Sequence, residues 1–182
     1  MGIQTMIGRF IILAIVMFTQ AICAAKLAIL DEKGRDNSGL TMDFCESIEG
    51  WQTHNGSEFK GPLPTVDISA TAKSGIAVSW DFSKGGYYVV ARRNCMLSPS
   101  ASELFSVLSS TKAVSLSMRL QDGAGRHFQT HSVMIPAGEK VTIRLDFGGS
   151  YKERWGKGDH MVPKDGIQQI GYVLSPVEVG DA

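Results

Sequence analysis

The stretch from Val114 to Ile135, VSLSMRLQDGAGRHFQTHSVMI, leaves few options for folding. Val114, Leu116, Met118 and Leu120 alternate with Ser115, Ser117, Arg119 and Gln121, the period-2 pattern of a strand with one face buried and the other in water. Asp122-Gly123-Ala124-Gly125 then supplies the positive-φ positions of a tight or bulged hairpin turn, so the chain reverses and returns beside its first arm. A sheet follows. Its wet face would carry Arg119, Gln121, Arg126, His127 and Gln129 with Asp122 at the turn, planar polar groups suited to a hydroxyl-rich ligand.

The same alternation recurs along the chain. Leu40–Glu46, Thr65–Thr71, Gly75–Phe82, Tyr87–Arg93, Lys140–Phe147 and Ile167–Leu174 read as strands, separated by Gly- and Pro-rich turns. Ile76, Val78, Trp80 and Phe82 share one face, which assigns Trp80 to the core. Ser98–Ser110 reads as a short helical turn leading into a strand, because Ser100-Ala101-Ser102-Glu103 resembles a capping box. About eight strands with almost no helix point to an all-β, antiparallel two-sheet β-sandwich of jelly-roll type.

The amino terminus is different. Arg9 precedes the apolar run Phe10–Phe18, and small residues follow at Ala21 and at Cys23-Ala24-Ala25, the layout of a signal helix too short for a permanent span. The expected organisation is a signal peptide over 1–25, a flexible lead-in over 26–39, a sandwich over 40–176 and a tail over 177–182. The product would be periplasmic or extracellular, with no integral membrane span after cleavage. Cleavage removes Arg9 and no acid, leaving 17 basic against 18 acidic residues, so net charge does not favour nucleic acid. Cys45 and Cys95 remain, in a compartment where a disulfide would persist. Joined, they would close a loop of about 50 residues and stabilise the fold by about 4 kcal/mol in the chain-entropy model; two separately buried thiols are the alternative.

Catalytic signatures are missing from the sequence. His127 and His131, four apart on a strand, sit about 13 Å apart and do not meet at one metal ion. Gly123-Ala124-Gly125 has no following helix to make a phosphate cradle, and no serine occupies a nucleophile elbow. A structural calcium near Asp43 and Glu46 would need further oxygens from Glu178 or Asp181, which fall in the tail, so no cofactor is assigned. Asn55-Gly56-Ser57 is a formal glycosylation sequon.

Binding fits the residues better than catalysis does. Sugars offer flat C–H faces and a rim of hydroxyls, which proteins meet with an aromatic ring beside Arg, Asp or Gln side chains. Arg119, Asp122, His127 and Gln129 on the hairpin, with Trp155, His160 and Asp165 on a late loop over 148–166, form the candidate set. Trp155 would stack. Trp51, beside a glycine at a strand end, reads as a structural plug.

The order of several pieces resembles a known family. Asp43-Phe44 with Glu46 and Trp51, Asn55-Gly56-Ser57-Glu58-Phe59-Lys60-Gly61, the run Asp81–Val89, Arg119-Leu120-Gln121-Asp122 with His127 and Gln129, Trp155-Gly156-Lys157-Gly158, and Asp165-Gly166 together resemble the galactose-binding-like jelly rolls appended to bacterial polysaccharide-degrading enzymes. Lys60, Pro62-Leu63-Pro64 and Arg126 depart from that pattern. What the resemblance implies is a non-catalytic, lectin-like module that binds a polysaccharide or oligosaccharide, alone or beside a separate exported enzyme. The alternatives are an exported structural or protein-interaction domain and, behind it, a small polysaccharide hydrolase.

Overall fold

The computed structural model describes residues 25–36, 41–43, 48–71, 75–158 and 161–177. Residues 1–24 of the signal segment expected over 1–25 lie outside these, as do Cys45, Glu46, His160, Glu178 and Asp181, so the Cys45–Cys95 pairing and all of the calcium set but Asp43 fall outside the described residues. Thirteen strands follow one another: β1 (Ala25–Asp36), β2 (Thr41–Asp43), β3 (Trp51–His54), β4 (Thr65–Ala70), β5 (Ile76–Asp81), β6 (Val89–Leu97), β7 (Ala101–Ser110), β8 (Val114–Asp122), β9 (His127–Gln129), β10 (Val133–Ile135), β11 (Lys140–Asp146), β12 (Glu153–Trp155) and β13 (Ile167–Ser175). Among the described residues no helix is long and apolar enough to cross a membrane.

The strands make two antiparallel sheets. The first runs β11-β7-β1-β5-β4, with β2 added on β1, and the second runs β12-β9-β8-β13-β6-β3, with β10 added on β8. Their inner faces share one core. Ile76, Val78 and Trp80 of β5, Leu104 and Leu108 of β7 and Leu145 of β11 meet Val89 and Ala91 of β6, Leu116, Met118 and Leu120 of β8, Phe128 of β9, and Ile170, Tyr172 and Leu174 of β13. This is the expected all-β sandwich, and Trp80 fills its core. Trp51 stacks on Tyr172, with centroids 6.1 Å apart. A polar contact crosses the interior, where Ser106 of β7 and Tyr172 of β13, both fully buried, share a hydroxyl–hydroxyl bond of 2.5 Å.

Three expectations need correction. Residues 26–39, read as a lead-in, contain β1, which lies between β7 and β5 and pairs with both. Its second half, Asp31–Asp36, is polar enough to pass for a turn, and its extended state comes from pairing with β7 through Asp36↔Ala101. Ser98–Ser110 has no helical turn, because the buried alternation of Leu104, Ser106, Leu108 and Ser110 makes one ten-residue strand. The late loop contains β12, which pairs Glu153–Trp155 with Gln129–His127.

The hairpin forms as the sequence predicts. Gln121, Leu120 and Arg119 of β8 face His127, Phe128 and Gln129 of β9, and the turn closes through Asp122 N–H donating to Arg126 O at 2.9 Å. Gly125 takes φ of 77° in that turn. Gly123 is required for a different reason, since a Cβ there would stand 2.4 Å from Asp165 O. Gly123 N–H donates to Gly166 O at 3.2 Å, which docks the end of the late loop onto the hairpin.

Candidate functional site

Sheet register puts two polar rows on the outer face of the second sheet. Trp155, His127, Gln121, Gln169 and Asn94 are successive partners across β12-β9-β8-β13-β6. Two residues along the strands, Glu153, Gln129, Arg119, Gly171, Arg92 and Gln52 continue the same way to β3. Strand partners share a face, so each row presents its side chains together. Leu120, Phe128 and Tyr172, offset by one position, point into the core instead.

Arg119 stands at the crossing point of this surface. Its Nε and Nη2 donate to Gln129 Oε1 at 3.0 and 2.9 Å, which fixes the plane of the guanidinium. The guanidinium carbon lies 5.0 Å from the Trp155 ring centre and 5.6 Å from that of Tyr88, so the two aromatic centres are at most 10.6 Å apart. Such cation–π contacts hold an arginine at a wet surface by about 0.5–1 kcal/mol. Trp155 in turn stacks on its strand partner His127, with centroids 4.9 Å apart and planes within 5°, and stays 40% exposed.

The opposite wall comes from residues the sequence alone does not single out. The loop between β3 and β4 folds over the start of β6, and Phe59 packs against Tyr87 and edge-on against Tyr88. Asn55, part of the sequon, is half-buried and its amide donates to Pro64 O at 3.3 Å. The Tyr88 hydroxyl donates to Glu58, whose other carboxylate oxygen meets His54 Nε2 at 2.7 Å. Burial and that bond to Glu58 push the Tyr88 hydroxyl pKa up. Glu58 feels desolvation that would raise it, but bonds from Tyr88, its own backbone and His54 bring it below the ordinary value.

Between the walls lies a shallow trough of about 40 Å³ lined by His54, Val90, Arg92, Arg119, His127, Gln169 and Gly171. Gly171 forms its floor, since a Cβ there would contact Val90 Cγ1 at 3.3 Å and Arg92 Cβ at 3.5 Å. Among the described residues four buried side-chain polar atoms have no hydrogen-bond partner, and two of them, Arg92 Nε and His127 Nδ1, belong to this lining. Native interiors rarely leave such atoms unmet, so the two concentrate unfilled hydrogen-bonding capacity around this trough. His127 is held below its ordinary pKa by desolvation first and by Arg119 and Arg92, with Asp122 opposing them.

Four of the sequence-derived residues therefore meet: Arg119, His127, Gln129 and Trp155. Asp122 and Asp165 do not join them. Asp122 is fully buried, accepts from Ala124 N–H and Arg126 N–H at 3.1 and 3.0 Å, and takes Arg126 Nη2 at 2.6 Å. Asp165 binds the same guanidinium from outside. Both acids serve the turn, and no face is left on Asp122 for a ligand. His131 lines a separate concavity with Leu116, Met118 and Ile143, away from His127. Among the described residues no group of three or more His, Cys, Asp or Glu could hold a metal ion. Cys95 donates to Ile167 O at 3.6 Å on β6.

No family model matches the chain, and no curated protein matches it. Among solved structures, one titled "Structural analysis of an exo-beta-agarase" is similar at 13% identity and a TM-score of 0.42, over 72% of this chain and 22% of that one. The chain thus spans about a fifth of that protein's length.

Proposed function

We propose that the chain is an exported, non-catalytic module that binds a polysaccharide across the outer face of its second sheet. The observation that carries this reading is the placement of Arg119 between Trp155 and Tyr88, with Gln129 fixing its plane. Aromatic rings supply the flat apolar contact that a pyranose ring seeks, and the oriented guanidinium and amides supply hydrogen bonds at its rim. A trough of about 40 Å³ is far below the 300–1,000 Å³ of an enclosing small-molecule pocket, which suits a chain lying on the surface. Export rests on the leader-like composition of residues 1–25.

A protein partner is the competing reading, favoured by Tyr87 at 67% and Phe59 at 48% exposure beside the trough. Retention on a panel of insoluble polysaccharides separates the two. The wild-type protein is expected to be retained on at least one of them, and Trp155→Ala to be released while melting within a few degrees of the wild type. Trp155 is exposed on a three-residue edge strand, so its loss costs little packing. Absence of retention on every polysaccharide, or equal retention of Trp155→Ala, would remove the sugar reading.

A further inference from the structure

We infer that the trough over Gly171 is an anion subsite that receives the carboxylate of an acidic sugar, so that the ligand is a uronate-bearing polysaccharide. This rests on the saccharide reading above and names the class of saccharide. Four of the seven lining residues are Arg92, Arg119, His54 and His127, and none is Asp or Glu. Glu58, the nearby acid, is already committed to Tyr88 and His54. The local excess of positive charge is not a property of the whole chain, which has 18 basic and 18 acidic residues.

The geometry suits one small planar anion. Arg119, Gly171 and Arg92 are successive strand partners, so the two arginines stand two strand spacings apart, about 10 Å, on either side of a residue with no side chain. The space above Gly171, about 40 Å³, is roughly three times the 10–15 Å³ that one water requires, room for a small anion and its hydration. A planar carboxylate can take two parallel bonds from one guanidinium fork. It would meet the Arg92 guanidinium, whose buried Nε has no partner of its own, while Gln129 keeps Arg119 aligned on the other side. A neutral hydroxyl would fill the space without balancing the two guanidinium charges. The larger concavity bounded by Arg126, Arg154 and Trp155, about 190 Å³, is less suited, because Arg126 is already neutralised by Asp122 and Asp165.

Calorimetric titration of the full chain with an oligogalacturonate, and with a neutral galactan oligomer of equal length, tests this at fixed ionic strength. The acidic oligomer is expected to bind about tenfold or more tightly than the neutral one, the scale of one charge-assisted hydrogen bond. Arg92→Gln is expected to lose that advantage, the acidic oligomer falling to the affinity of the neutral one for the same variant, and Gly171→Ala, which fills the floor, to do the same. Lys140→Gln, an exposed cation of the other sheet, is the control and should change neither. Equal or tighter binding of the neutral oligomer overturns the anion subsite and leaves the saccharide reading standing. No binding of either oligomer or of any polysaccharide overturns both. An acidic preference that survives Arg92→Gln and Gly171→Ala, or that falls equally with Lys140→Gln, reflects diffuse charge and overturns the subsite. A sulfated oligomer that outcompetes the carboxylated one overturns the assignment to carboxylate.

Discussion

His127 shows how one residue ties the site to the stability of its sheet. Its ring stacks on Trp155 and lines the trough beside two arginines, and desolvation with those charges makes protonation harder than in the unfolded chain. The unfolded chain therefore takes up a proton first as the pH falls, and the stability that neutral His127 supports is lost as the pH drops through the ordinary histidine range. Denaturation midpoints measured at about pH 8 and about pH 5 should fall further for the wild type than for His127→Gln, which has nothing to titrate there. Equal losses would mean that the ring is no harder to protonate in the fold. The residues that surround it were not equally legible. Arg119 and Gln129 could be assigned from the sequence because strand alternation separates wet from dry positions, whereas Trp155 was assigned as an aromatic on a loop, with no periodicity to show the strand that carries it. The same parity places Asp122 with Leu116, Met118 and Leu120 on the inner face, a signal that the polarity of its side chain masks.

At the scale of elements, the β8–β9 hairpin is specified locally. Alternation fixes its faces, Gly125 its turn, and Asp122 ties the turn to Arg126. Asp122→Ala leaves the Arg126 guanidinium, whose side chain is 7% exposed, with only the outer carboxylate of Asp165, and should cost about 1–3 kcal/mol in a urea titration. Arg126→Met in the same background should recover part of that loss, and a cost under about 1 kcal/mol would show the pair to be dispensable. Elements specified by partners were harder to read. The second half of β1 has a turn-like composition and is a strand because β7 pairs with it; β12 is three residues long and exists through β9. The Glu58–Tyr88–His54 wall comes from a loop folded over the sheet, and no periodicity in the sequence announces a contact between residues thirty positions apart.

For the molecule as a whole, two sheets meet across an apolar interior in which Ser106 is tied to Tyr172. Tyr172→Phe leaves a buried hydroxyl short of a partner and should cost about 1–3 kcal/mol, whereas adding Ser106→Ala should return most of it, as read from melting and denaturant midpoints. A double variant no better than the single one would mean that the ring position, not the bond, matters. The placement of β1 sets how much of the amino end the sandwich needs. The chain's first described strand is not at a margin of its sheet but between β7 and β5, so it joins β11-β7 to β5-β4. A protease that trims the amino end must halt by residue 25; nibbling a few positions further would unseat the keystone and leave two orphan strand pairs over an open interior.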